Sequence, residues 1–127
     1  MKYGYKRQIS LSFEEAVEKI KTELAKEEFG VLTEIDVKET LKKKLNIDYE
    51  KYLILGVCNP KLALSALNAE KDIGLLMPCN VTAYEERGQV FVATMLPTVA
   101  LAMAENSSLS GIAKIAEEKL KKVVDGI

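Results

Sequence analysis

From Tyr52 to Val57 the chain reads Tyr-Leu-Ile-Leu-Gly-Val, an unbroken apolar run of strand length that stops at Cys58 and passes straight into Asn59-Pro60. Unbroken rather than alternating hydrophobicity predicts a central strand covered on both faces. Asn59 is a residue type that accepts backbone N–H bonds at a helix start, and Pro60 already has the φ angle of a first helical turn. A helix with Leu62, Ala63, Ala66 and Leu67 on its apolar face is therefore expected directly after the strand. This step fixes a sheet with at least one helix laid against it, and the other segments are read around it.

Tyr3, Tyr5 and Ile9 within Lys2 to Ile9 make a first strand. Ser12 and Glu15 then have capping-box spacing, Leu11 can staple onto Ala16, and Phe13, Ala16, Val17, Ile20 and Leu24 form one helical stripe. Gly30 is expected to close that helix in the left-handed conformation, with Val31 to Ile35 as a second strand. Asp36 caps a short helix to about Leu45, with Val37, Leu41 and Leu45 inward and Lys42, Lys43 and Lys44 in its last turn, and Asn46 stops it. Leu75 to Met77, between Gly74 and Pro78, reads as a strand edge or bulge. Val81 to Glu85 and Val90 to Met95 read as a hairpin turning at Arg87-Gly88, with Thr82 and Tyr84 facing away from Val81, Ala83 and Glu85. Pro97 ends the sheet region. A short alanine-rich helix from about Thr98 and a final helix carrying Leu109, Ile112, Ala116, Leu120 and Val123 complete the chain.

Strands and helices are mixed without strict alternation, so the fold expected is α+β, a mostly antiparallel sheet of five to six strands with helices packed on it. No linker or composition shift divides residues 1–127, and a chain of that length makes one domain that buries roughly two thirds of its unfolded surface.

Charge and composition exclude several functions. Lys and Arg number 18 against 19 Asp and Glu, a net charge of -1, which argues against a broad nucleic-acid footprint or a polybasic membrane anchor. There is no histidine, which removes Ser-His-Asp triads, Cys-His dyads, imidazole bases and imidazole-ligated zinc. The apolar runs Tyr52 to Cys58 and Val99 to Ala104 are far shorter than the ~20 residues that cross a bilayer. The residues after Met1 form no apolar signal segment, and two cysteines are too few for a disulfide scaffold, so a cytoplasmic protein with reduced thiols is expected.

The chemistry that remains centres on two dipeptides. Both cysteines precede asparagine at a backbone break, in Cys58-Asn59-Pro60 and in Pro78-Cys79-Asn80. Cys58 lies just before a helix N-terminus, where unpaired N–H groups favour a thiolate or a bound anion. Buried cysteines and backbone-satisfying asparagines account for the same residues without any reaction. Glu34 and Asp36 share a strand face and can pair or hold a cation, although Asp36 is also a cap. Tyr3, Tyr5, Tyr49, Tyr52 and Tyr84 can line a pocket with their hydroxyls or simply pack in a sheet. Met77, Met95 and Met103 read as core filling, and no metal or cofactor is expected.

Gly30-Val31-Leu32-Thr33-Glu34-Ile35-Asp36-Val37, then Leu55-Gly56-Val57-Cys58-Asn59-Pro60 with Ala63 and Ala66, then Gly74-Leu75-Leu76-Met77-Pro78-Cys79-Asn80-Val81, together resemble the domain of unknown function 302 family over nearly the whole chain. The resemblance implies an α+β fold similar to the TATA-binding-protein-like class, a label of topology that carries no DNA binding. It implies small prokaryotic proteins that pair into homodimers, and no particular activity. It also groups Cys58, Asn59, Pro60, Cys79, Asn80 and Glu34 as one ligand-binding pocket. Three readings stand: a homodimeric module binding a small or anionic ligand there, a purely structural homodimer, and a thiol-dependent enzyme or redox sensor using Cys58 and Cys79.

Overall fold

A computed structural model describes residues 1–127. Five strands, β1 (Gly4–Ile9), β2 (Gly30–Asp36), β3 (Tyr52–Cys58), β4 (Cys79–Glu86) and β5 (Gln89–Met95), form one sheet in the order β1-β5-β4-β3-β2. Every neighbouring pair is antiparallel. The helices are α1 (Phe13–Lys26), α2 (Val37–Leu45), α3 (Pro60–Ala69), the single turn α4 (Pro97–Ala100) and α5 (Ser110–Asp125), with 3₁₀ turns at Lys71–Leu76, Leu101–Ala104 and Ser107–Leu109. The expected α+β architecture is the observed one.

The core lies on one side of the sheet. Ala16, Ile20 and Leu24 of α1 and Ala116, Leu120, Val123 and Val124 of α5 pack with Leu55, Val57, Val81, Ala83, Val90 and Val92, all buried. Because side chains alternate along a strand, the intervening residues point to the opposite face, which no helix covers to the same extent. Each fully buried Leu, Ile or Val contributes about 1.5–3 kcal/mol, so this single interface supplies most of the driving force.

Local signals act largely as the sequence indicates. Ser12 and Glu15 form the reciprocal capping box, Asp36 accepts the Glu39 N–H, and Asn59 accepts the Leu62 N–H. Asn46 closes α2 in the left-handed conformation. Arg87 and Gly88, at φ 52 and 79, form the two-residue turn between β4 and β5 whose twist matches its strands.

Four expectations change. Gly30 does not close α1; it opens β2. The left-handed residue is Glu28, at φ 64, with the Phe29 N–H on the Leu24 carbonyl and the Glu28 N–H on that of Ala25. Burial of Phe29 beside Leu24 completes this Schellman closure and offsets the cost of a non-glycine residue there. Leu75 to Met77 is not a strand edge: Lys71–Leu76 winds as a 3₁₀ helix, which buries Ile73 with Ala66 and Leu109 in a second small core and leaves Leu75 86% exposed. The alanine-rich helix is one α turn begun by Pro97 and continued as 3₁₀. Finally, α2 buries none of its residues fully, and Leu45, expected inward, is 62% exposed. Within the sheet, Tyr52 of β3 stacks on Tyr84, and Thr33 and Pro78 close over Gly56.

That screening makes Gly56 specific. A Cβ there would collide with Thr33 Oγ1 and lie 2.9 Å from Pro78 Cγ. Gly56→Ala is expected to destabilise the fold by about 1–3 kcal/mol through this overpacking, read from urea unfolding. An unchanged midpoint would show that β2 and the Pro78 segment yield freely.

Candidate functional site

The sheet separates the two Cys-Asn dipeptides into two environments. Cys79 stands opposite Val57 and Asn80 opposite Gly56, so Cys79 faces the helices with Val57 while Asn80 faces outward. Cys58, the last residue of β3, lies one residue beyond the partner of Cys79.

On the helix side, Cys58, Asn59 and Cys79 line a recess of about 50 Å³ closed by Phe29, Leu62, Met77 and Ile112. No Lys, Arg, Asp or Glu lines it. Asn59 is buried and fully engaged: its carboxamide oxygen caps α3 and its Nδ2 donates to the Glu27 carbonyl at 3.4 Å, tying the start of α3 to the end of α1. Pro60 occupies the first turn of α3 and is exposed. Burial pushes the Cys58 thiol up, and burial together with the nearby Cys58 pushes Cys79 up to about 11. Both changes run against the thiolate that nucleophilic chemistry requires.

Glu34 joins neither dipeptide. It sits on the edge strand β2 with its carboxylate 3.1 Å from Lys21 of α1, while Asp36 is occupied as the α2 cap.

On the open side lies a trough of about 760 Å³, a volume in the range of small-molecule sites. Asn80, Thr82 and Ala93 line its sheet wall, together with Tyr52 and Tyr84. Tyr84 stacks between Tyr52, at 5.2 Å, and Phe91, at 5.3 Å, as cross-strand neighbours on one face. Lys6 of β1 donates to the Tyr84 hydroxyl at 3.2 Å and lies 5.2 Å from the centre of Phe91; the hydroxyl holds its ammonium above the usual lysine range. The rim carries Asp48, Glu50, Glu85 and Glu86. Asp48 pairs with Lys42 and Glu85 approaches Lys51, whereas Glu50 and Glu86 form no ion pair.

Four of the five tyrosines singled out by sequence, Tyr3, Tyr49, Tyr52 and Tyr84, line this trough. The fifth, Tyr5, points to the helix side, where its hydroxyl donates to Asp125 at 2.6 Å. Lys6, Thr82 and Ala93 also line the trough, and no sequence motif marks them. Their signal is period two: Asn80-Thr82-Tyr84 and Phe91-Ala93-Met95 alternate with buried Val81, Ala83, Val90 and Val92.

The family model described as "Domain of unknown function DUF302" matches residues 5–127. The chain belongs to the DUF302 family. Its fold is also that of a solved DUF302 structure, an uncharacterised conserved protein from Bacillus stearothermophilus, at 31% identity and a TM-score of 0.92 over 98% of both chains. No curated protein matches the chain. No helix of this DUF302 chain is long and apolar enough to cross a membrane.

The buried thiol gives a pH signature. The folded Cys79 thiol titrates at about 11 against an ordinary 9.0, so its contribution is intact below pH 9 and is lost as pH rises towards 11, where only the unfolded chain has ionised. Wild type is expected to lose about 2 kcal/mol more stability than Cys79→Val between pH 8 and pH 11, since each pH unit separating the folded and unfolded titrations is worth about 1.36 kcal/mol. Parallel pH dependences for the two proteins would show that Cys79 is not buried in this way.

Proposed function

We propose that this DUF302 protein is a small-ligand binding module whose site is the trough on the open sheet face. The observation that carries the reading is a sizeable concavity floored by stacked aromatic rings and hydrogen-bonding side chains on the sheet face opposite α1 and α5. Asn80 brings the third sequence motif into this site, while Cys58, Asn59, Pro60 and Cys79 support it from behind by fixing the ends of β3 and β4. The rim carboxylates without an ion pair, Glu50 and Glu86, beside Lys6 and the stacked rings favour a neutral or cationic planar ligand over an anion, since a cation gains from both the carboxylates and the ring faces. The raised thiols argue against the redox and nucleophilic readings. With two free cysteines, the protein's setting in this reading is the reducing cytoplasm.

Thermal shift against paired aromatic amines and the corresponding aromatic carboxylates tests the site. Amines are expected to raise the melting temperature, and Thr82→Trp, which fills the trough, to abolish the effect. Equal stabilisation by both classes, none by either, or stabilisation that survives Thr82→Trp would contradict the assignment.

Pairing of two copies belongs to the same proposal, and α3 is the surface that supports it. This helix carries one charged residue, Lys61, and buries Leu62, Ala63 and Ala66 inward at least in part while exposing Leu64 and Leu67 outward. Leu75 and Met103 stand exposed on the adjoining 3₁₀ turns. A helix apolar on both faces needs cover, and an isologous interface centred on it supplies matching apolar surface towards the ~800 Å² per partner of a standard interface. Sedimentation equilibrium is expected to give a dimer for wild type and a monomer for the Leu64→Glu, Leu75→Glu double variant. A monomeric wild type, or a dimer that survives both charges, would contradict it.

A further inference from the structure

The recess behind the sheet contains a set of donors that the trough does not use. Three sulfur-bearing side chains line it: Cys58 at the end of β3, and Met77 and Cys79 on either side of Pro78. Cys58 lies one residue beyond the Val57–Cys79 pair, at the end of β3, and both thiols border the recess although they are distant in sequence. We propose that Cys58, Met77 and Cys79 form a binding site for a monovalent soft metal ion, copper(I).

Size, donor type and surroundings converge on this ion. A space of about 50 Å³ is far below the 300–1,000 Å³ of small-molecule pockets but sufficient for a single ion. No carboxylate lines the recess, so hard cations such as magnesium or calcium find no ligands. Zinc requires four donors of nitrogen, sulfur or carboxylate oxygen, and two thiols without histidine or carboxylate do not complete that set. Thiolate and thioether sulfur select copper(I) among biological metals.

Binding involves no electron transfer. Copper(I) enters, two S–H bonds break, two copper–sulfur bonds to Cys58 and Cys79 form, two protons leave to solvent, and the Met77 thioether donates a third lone pair without losing a proton. The product carries a net charge of -1 in apolar surroundings. The start of α3, immediately after Cys58, directs the positive end of its dipole there and lowers the cost of that charge. No other titratable group lines the recess, so the pH dependence of binding belongs to the two thiols. Binding releases both thiol protons, and affinity therefore rises as protons are withdrawn. This site does not rest on the reading of the trough: occupancy of one is measurable with the other empty.

Anaerobic titration of the purified protein with copper(I), in competition with a colorimetric copper(I) chelator, tests the inference. One ion per chain is expected, with an ultraviolet thiolate-to-copper band and an affinity that increases between pH 6 and pH 8. Cys58→Ser and Cys79→Ser are each expected to weaken binding by more than the roughly 10–100-fold that losing an outer-shell partner costs, and Met77→Leu by about 10-fold, the low end of that range. Thiol alkylation of the wild-type protein gives a readout independent of variant folding: copper(I) should protect both cysteines together. No uptake, protection of only one cysteine, or undiminished affinity in a folded Cys58→Ser or Cys79→Ser protein would overturn the site. Undiminished affinity in Met77→Leu would remove the thioether from it.

Discussion

Packing of α1 and α5 against a single face of the antiparallel sheet is the interaction on which the rest of the molecule depends. It engages all the fully buried large side chains of the main core, from Ile20 and Leu24 through Leu55, Val81 and Val92 to Leu120 and Val124. Because strand side chains alternate, that choice also decides what every second residue can do. Tyr5 and Arg7 meet the end of α5, where Arg7 donates to the Val124 carbonyl at 2.7 Å, while Lys6 between them faces the open side. One residue step separates Cys79 in the interior from Asn80 at the surface.

The consequence is a sheet with a chemistry on each side. The trough side is aromatic and acid-rimmed, and its charges are screened by water. The recess side is apolar and dry enough that a thiol stays protonated far above its ordinary range, which suits sulfur to packing or to a soft cation and ill suits it to nucleophilic attack. Asn59 and Gly56 join the two sides mechanically. Asn59 holds α3 and the end of α1 at the rim of the recess, and Gly56 lets Thr33 and Pro78 close over β3.

Much of this was legible in the sequence because the deciding interactions are local. Ser12 with Glu15, Asp36, Asn59-Pro60 and Arg87-Gly88 each act within a few residues of themselves, and each marks the element boundary that the folded chain shows. The alternation of Val81 and Ala83 with Thr82 and Tyr84 was equally plain. What was not legible depends on distant partners. Glu28 rather than Gly30 takes the left-handed turn because Phe29 finds burial next to Leu24. Lys71–Leu76 coils because Ile73 finds Ala66 and Leu109. The placement of the site residues needed the sheet register as well: no spacing in the sequence sends Asn80 to the trough, keeps Cys58 and Cys79 in the recess, or leaves Glu34 with Lys21 at the edge.

The central claim is that the sheet face opposite α1 and α5 is where this protein meets its ligand, and amide chemical-shift mapping tests it most directly. With an aromatic amine added to isotopically labelled protein, the account predicts saturable shifts at Lys6, Asn80, Thr82, Tyr84 and Ala93, with α1 and α5 unmoved. Shifts confined to the recess or to the outer faces of the helices, with β4 and β5 silent, would contradict it.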